Sequence, residues 1–228
     1  MLKIRTLTVS FDTDIAAYEL PAFRGAVISK AGTDHILFHN HLSDDQLLHR
    51  YPVIQYKRLS GRPAIFCLGE GVDEIHHFFN NRSWKINISN RDIDLKIHKL
   101  NMDQVTMQVW NHFFHYEIRQ WIALNAENLK RYKALESEPE RFQLLEGILT
   151  GNIISMAKSI RWDINKQIVV RIHEIQRQSI VKVKTTKLIA FDVKFQSNAF
   201  LPTYIGLGKS CSLGFGVVRP VGRNINTL

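Results

Sequence analysis

The sequence predicts an α+β protein of two tandem units with a glycine-rich loop near its end. Three observations lead there. Over residues 1–110, strand and helix candidates follow the order β-α-β-β-α-β, which is that of a ferredoxin-like unit. From 111 to 228 a similar order begins again. Four glycines then fall between 206 and 216, just before a last strand. No Pro/Ser-rich linker and no fixed-period repeat separates the halves, so the boundary near 110 rests on the repeated order.

Leu2 to Phe11 reads as the first strand. Leu20, Phe23, Val27 and Ile28 share one helical face, and Gly25-Ala26 permits close packing. Residues 51–58 and 63–68 are two strands around Leu59-Ser60-Gly61-Arg62, a hairpin with glycine in its turn. Val72, Ile75, Phe78 and Phe79 mark a short helix. Strand candidates at Ser83–Ser89, Asp94–Leu100 and Val105–Trp110 complete the first unit. In the second, His112–Ile122 is a strand and Asn125–Leu135 a helix capped by Asn125. Ser137-Glu138-Pro139-Glu140 opens another helix, with a capping box from Ser137 and Glu140 and proline in the first turn. Its apolar positions Phe142, Leu145, Leu149, Ile153, Met156 and Ile160 recur every three or four residues. Strands are expected at Gln167–Ile175, Ser179–Lys187, Leu188–Phe195 and Phe215–Arg219. On the second of these, Lys182 and Lys184 face one way and Val181 and Val183 the other.

The chain has 228 residues and a net charge of +9. Residues 160–228 hold eleven Lys or Arg against three acids, so that third alone is +8 and the remainder is close to neutral. Concentrated positive charge points to a polyanion, most simply nucleic acid. Cys67 and Cys211 have neither paired spacing nor a C-x-x-C, which argues against a disulfide framework and against cysteine-based zinc. With no long apolar run and no signal-peptide core, a cytoplasmic protein without membrane contact is expected.

Two stretches carry the chemistry. The first is Gly206-Leu207-Gly208-Lys209-Ser210-Cys211-Ser212-Leu213-Gly214-Phe215-Gly216. Glycine amides can converge on an anion, though a tight turn without ligand is the plainer alternative. A P-loop would need its first glycine at Thr203. A dinucleotide fingerprint would need glycine at Cys211 and an acidic residue downstream. Both fail. The second is a histidine cluster, His35, His39, His41 and His49. In extended chain His39 and His41 project from one face, about 7 Å apart. Two imidazoles so placed suit base and acid work around one phosphate, because both protonation states are populated near neutrality. Metal ligation by His35, His39 and His41 is an alternative, as is an ordinary polar loop. His76-His77 are read as flanking a helix, and His98, His112, His115 and His173 as structural.

The terminal loop resembles the glycine-rich signature of the RAMP superfamily, with Gly206, Gly208, Gly214 and Gly216 at its glycines and Leu207, Leu213 and Phe215 at its apolar sites. With the doubled ferredoxin-like order and the histidines after the first helix, the whole chain resembles a CRISPR repeat-processing endoribonuclease. The resemblance implies metal-independent cleavage by 2′-OH attack, without a cofactor, leaving 2′,3′-cyclic phosphate and 5′-OH ends. It places His39 and His41 as base and acid, Tyr51 or His49 as assistants in proton transfer or orientation, and Lys30 as a clamp on transition-state charge. It implies RNA binding by the glycine loop (Gly206, Gly208, Lys209, Ser210, Gly214, Gly216), by Arg58 and Arg62 at the hairpin, and by Lys182 and Lys184. The implied partners are CRISPR repeat RNA and other effector subunits, with the chain a monomer or homodimer. A guide-RNA holder without catalysis and a metal-dependent hydrolase using the histidines are the competing functions.

Overall fold

The structure, a computed structural model, describes residues 1–39 and 50–222, together with the backbone of 41–43 and 46–47. In the first unit, strand β1 (Leu2–Phe11) leads to helix α1 (Leu20–Ala31), a 3-10 turn at Ile36–Phe38 and the short strands β2 (His41–Ser43) and β3 (Gln46–Leu47). Strands β4 (Ile54–Leu59) and β5 (Arg62–Leu68) form the expected hairpin. Helices α2 (Glu70–Glu74) and α3 (His76–Phe79), the small hairpin β6 (Lys85–Ile88) and β7 (Arg91–Asp94), and strand β8 (Ile97–Met107) follow. The second unit runs through β9 (Val109–Trp121), α4 (Ala126–Ala134), α5 (Glu138–Ser159), β10 (Val170–Val183), β11 (Thr186–Ala199) and β12 (Val217–Pro220).

The two main sheets have the same plan, β4-β5-β1-β8 and β10-β11-β9-β12. In each, the unit's first strand lies between its third and fourth, and every pairing is antiparallel. This is the ferredoxin-like order, in duplicate. The second unit departs from the plain repeat. Two helices separate β9 from β10, and the glycine loop stands where the second crossover helix would run.

Local chemistry accounts for the elements. Asn125 caps α4 by accepting the Asn128 N–H at 2.7 Å. Ser137 caps α5, its hydroxyl accepting the Glu140 N–H at 3.4 Å while Glu140 accepts the Ser137 N–H at 3.3 Å. Leu145, Leu149, Ile153 and Met156 are the fully buried face of α5. The apolar run Ala64–Leu68 is buried on both faces of β5. Ile65 and Cys67 pack into the core over α1, while Phe66 and Leu68 join Ile4 and Tyr51 in the core of the second unit. A strand covered on both sides needs no polar alternation, and here it welds the two units. Among the described residues no helix is long and apolar enough to cross a membrane.

Five strand expectations change. The segments Gln167–Ile175, Ser179–Lys187 and Leu188–Phe195 are two long strands, not three. Register shifts at Ile172/Glu174 and Ile175/Arg177 are β-bulges, which break the alternation of side chains without ending the strand. The turn falls after Val183, so Lys184 lies in it at φ 54° and does not share a strand face with Lys182. Asp94–Leu100 and Val105–Trp110 likewise join across Ile97–Met107 as β8, while Asp94 ends β7 and Val109 and Trp110 begin β9. The polar stretch Asn101–Gln104 of β8 stays in ladder with β1, and β8 is an edge strand with exposed side chains.

Candidate functional site

Helix α1 ends at Gly32, and the chain turns back through the 3-10 turn to His39. Two side chains from different elements hold this return. Arg24 of α1 donates to the His39 carbonyl at 2.9 Å, and the Tyr56 hydroxyl of β4 donates to the Phe38 carbonyl at 3.1 Å. His39 is half-buried, with Nε2 2.8 Å from the Thr33 carbonyl. A carbonyl only accepts, so Nε2 carries the hydrogen in this contact. Backbone and tautomer are both set, which is what a proton-transfer histidine needs.

His41 lies on β2, where its backbone alone is described, and His49 lies outside the described residues. Lys30 is half-buried in the last turn of α1, where its carbonyl accepts Asn81 Nδ2 at 2.8 Å. His35 does not join His39. Its Nδ1 lies 3.1 Å from Glu74 Oε1 and its ring stacks on His77 with centroids 3.5 Å apart. Among the described residues the metal-capable group that includes His35 is His35, Glu74 and His77, and His39 contacts the Thr33 carbonyl instead.

The glycine loop is clasped to the first unit. Gly206 donates its N–H to Gln55 Oε1 at 2.9 Å and accepts the Tyr51 hydroxyl at 2.8 Å; Gln55 Nε2 in turn donates to the Tyr51 oxygen at 2.7 Å. Lys57 donates its ammonium to the Cys211 carbonyl at 3.1 Å, and the Tyr56 N–H donates to the Ser212 carbonyl at 2.9 Å. A Cβ on Gly206 would stand 2.5 Å from Lys57 Nζ and 2.9 Å from the Cys211 carbonyl, so only glycine admits this approach. Leu213 bridges in parallel to Tyr56, so the loop covers the open edge of β4.

This placement revises several expected roles. Tyr51 is buried and its hydroxyl is committed to Gly206; burial pushes the phenol well above its ordinary range. In this position it ties the two units together. The amides of Gly206, Leu207, Lys209, Leu213 and Gly216 bond within the protein, and Gly206 and Gly216 are buried, so these groups do not converge on an outside anion. Lys209 stays exposed and Ser210 half-exposed beside them. Arg58 donates Nε to the Ile15 carbonyl at 2.5 Å, and Arg62 reaches His98 at 2.6 Å and Asp12 at 3.3 Å. Lys182, Lys184 and Lys187 crowd the exposed tip of the β10–β11 hairpin, with Lys182 directly opposite Lys187.

Sequence reasoning missed Arg24, Gln55, Tyr56 and Lys57. Gln55 and Lys57 are fully buried polar residues, and burial lowers the Lys57 pKa to about 7. Their partners lie some 150 residues away in the chain, and no local pattern signals such a contact.

Comparison with known proteins covers the whole of this architecture. The family model of the Cas6b N-terminal domain matches residues 2–106, and that of the Cas6b C-terminal domain matches residues 108–221. An uncharacterized protein of Methanocaldococcus jannaschii is 39% identical over 101 residues, spanning 44% of this chain and 67% of that protein. A crystal structure of Cas6b superposes with a TM-score of 0.84 at 27% identity, covering 96% of this chain and all of the other. A second, of the CRISPR RNA processing endoribonuclease Cas6b, gives 0.72 at 25% identity with the same coverage. A type IV Cas6 crRNA endonuclease shares the fold at a TM-score of 0.56 and 12% identity. Matched across both of its units, the chain belongs to the Cas6b family.

Proposed function

We propose that this chain is an endoribonuclease that cuts CRISPR precursor RNA within the repeat by metal-independent 2′-OH attack. A base removes the 2′ proton, the 2′ oxygen bonds to the adjacent phosphorus, and the P–O5′ bond breaks. An acid protonates the leaving 5′ oxygen, so the ends are a 2′,3′-cyclic phosphate and a 5′-OH. His39 and His41 are the proton-transfer pair, His49 assists them, and Lys30 meets the charge that builds on the phosphorane. The observation that carries the reading is the tether of His39. Its carbonyl is held by Arg24 and its Nε2 by Thr33, which fixes the backbone and the orientation of the ring. RNA is held by exposed cations: Lys209, and Lys182, Lys184 and Lys187 at the hairpin tip. Like charges directly opposed across strands repel, and a phosphate between Lys182 and Lys187 relieves that cost.

The test is cleavage of the cognate repeat RNA in excess EDTA beside a substrate with one 2′-deoxy nucleotide at the cut. The ribose RNA is cut and the deoxy RNA is bound but intact. His39→Ala slows the cut by about 10²–10⁴-fold at unchanged RNA affinity. Activity that returns only with added metal overturns the mechanism, and tight binding without any cut favours a guide-RNA holder.

A further inference from the structure

A second titratable cluster lies apart from both the clasp and His39. It is assembled from two packed elements. Glu74 closes α2 and His77 is the second residue of α3, three positions further along the chain. Phe78 beside them is buried against Phe11, with ring centroids 6.1 Å apart, which fixes this turn on the core. His35 arrives from α1, because Gly32, at φ +105°, reverses the chain and the His35 N–H donates back to the Gly32 carbonyl at 3.3 Å. A Cβ on Gly32 would stand 3.3 Å from the His35 ring, so the close turn sets where that ring lies.

The three side chains converge on Glu74 Oε1. His35 Nδ1 is 3.1 Å from it and His77 Nε2 3.8 Å, and one ligand atom from each residue lies within 4.8 Å of the others. Donors about 2.0–2.2 Å from a tetrahedral metal stand about 3.3–3.6 Å apart, a spacing that the two distances to Glu74 bracket. Exposures of 29%, 28% and 31% leave the mouth open for a water in the fourth position.

We propose that His35, Glu74 and His77 form a binding site for a transition-metal dication of the zinc class. Two imidazoles and one carboxylate suit zinc, cobalt or nickel, while magnesium and calcium require oxygen donors. His76 Nδ1 is engaged with the Asp73 carbonyl at 2.5 Å and stays outside the set. The metal's role is positional. It ties the root of the α1–β4 connection to α2 and α3, one 3-10 turn ahead of His39. The inference does not depend on how the RNA is cut, because each readout below is metal binding.

Chelator-stripped full-length protein is titrated with Zn²⁺ against a chromogenic chelator, and with Co²⁺ by visible absorption. One equivalent binds, and cobalt shows tetrahedral d–d bands. Loss of outer-shell partners alone weakens metal sites about 10–100-fold, so Glu74→Gln loses at least about tenfold in affinity and His77→Ala about a hundredfold. His39→Ala and His41→Ala retain the equivalent. If His77→Ala melts early without metal, His35→Gln on the loop reads out the same loss. The proposal is overturned if the wild type takes up no equivalent, if the equivalent survives all three ligand changes, or if it disappears with His39 or His41. In each of those cases the cluster is a hydrogen-bonded stack only.

Discussion

Lys57 makes the stability of this protein depend on pH in a direction opposite to most surface lysines. Its ammonium is fully buried beneath the glycine loop, and its recorded protein contact is the Cys211 carbonyl. Burial lowers its pKa from 10.5 to about 7, while burial pushes the Cys211 thiol up to about 11, so no thiolate stands by to offset the charge. Between those two lysine values the unfolded chain binds the proton more tightly than the folded one, and stability climbs with pH. The gap costs about 4 kcal/mol at pH 7 and about 1.5 kcal/mol near pH 9.5, a gain of roughly 3 kcal/mol. For a chain of this size that is about 6–12 °C in melting temperature. Lys57→Met keeps the length and removes the charge, and orphaning the Cys211 carbonyl costs about 1 kcal/mol. The variant is therefore expected to be about 3 kcal/mol more stable than wild type at pH 7, with the advantage closing by about pH 9.5. Calorimetric scans of both proteins across that window check it, and the difference between them cancels every other titrating group. A flat difference would refute the reasoning, because it would mean that Lys57 stays protonated and solvated in the folded state.

Other changes around the clasp have separate signatures. Tyr51→Phe removes the hydroxyl that donates to Gly206 and takes one acceptor from Gln55, an expected loss of about 1–3 kcal/mol in denaturant titration. Because that hydroxyl is a tie, the pH dependence of single-turnover cleavage stays where it was; a displaced profile would return Tyr51 to the chemistry. Gly206→Ala drives a methyl into Lys57, Gln55 and the Cys211 carbonyl, and overpacking of this kind costs about 1–3 kcal/mol by the same measurement. Lys182→Ser and Lys187→Ser each flatten the plot of log affinity against log salt by about 0.7–0.9 of a unit, depending on whether the RNA there is single- or double-stranded. An unchanged slope would place the RNA away from the hairpin.

Much of the fold was legible because its signals are local. The capping box at Ser137, the Asn125 cap and the three-four spacing of α5 depend on residues within a turn or two of one another, and they stand as read. The Leu59-Ser60-Gly61-Arg62 turn was legible for the same reason. β10 was split in two because its bulges interrupt alternation while the ladder continues, and alternation is all a sequence offers. Around the candidate site, the glycines marked the loop correctly as a place of close approach but not what approaches. The partner is the protein's own β4, through Gln55 and Lys57, and a buried polar pair that distant has no signature in spacing or composition. His35 misled for the opposite reason. It is near His39 in sequence, yet across a single 3-10 turn it packs with Glu74 and His77 while His39 contacts the Thr33 carbonyl.

The clasp also explains why the loop and the histidine segment belong to one device. Tyr56 has two attachments. Its backbone N–H donates to the Ser212 carbonyl in the glycine loop, and its hydroxyl donates to the Phe38 carbonyl, one residue before His39. Its ring is buried edge-on to Phe23 of α1 and lies 6.0 Å from the Arg24 guanidinium, the group that holds the His39 carbonyl. The loop and the segment before His39 are therefore joined through one buried side chain. Glycine is required at Gly206 because β4 must come this close for Tyr56 to make both contacts at once. Under the proposed mechanism the glycine signature serves catalysis indirectly. It sets the distance between the two units, and that distance fixes the backbone from which His39 projects.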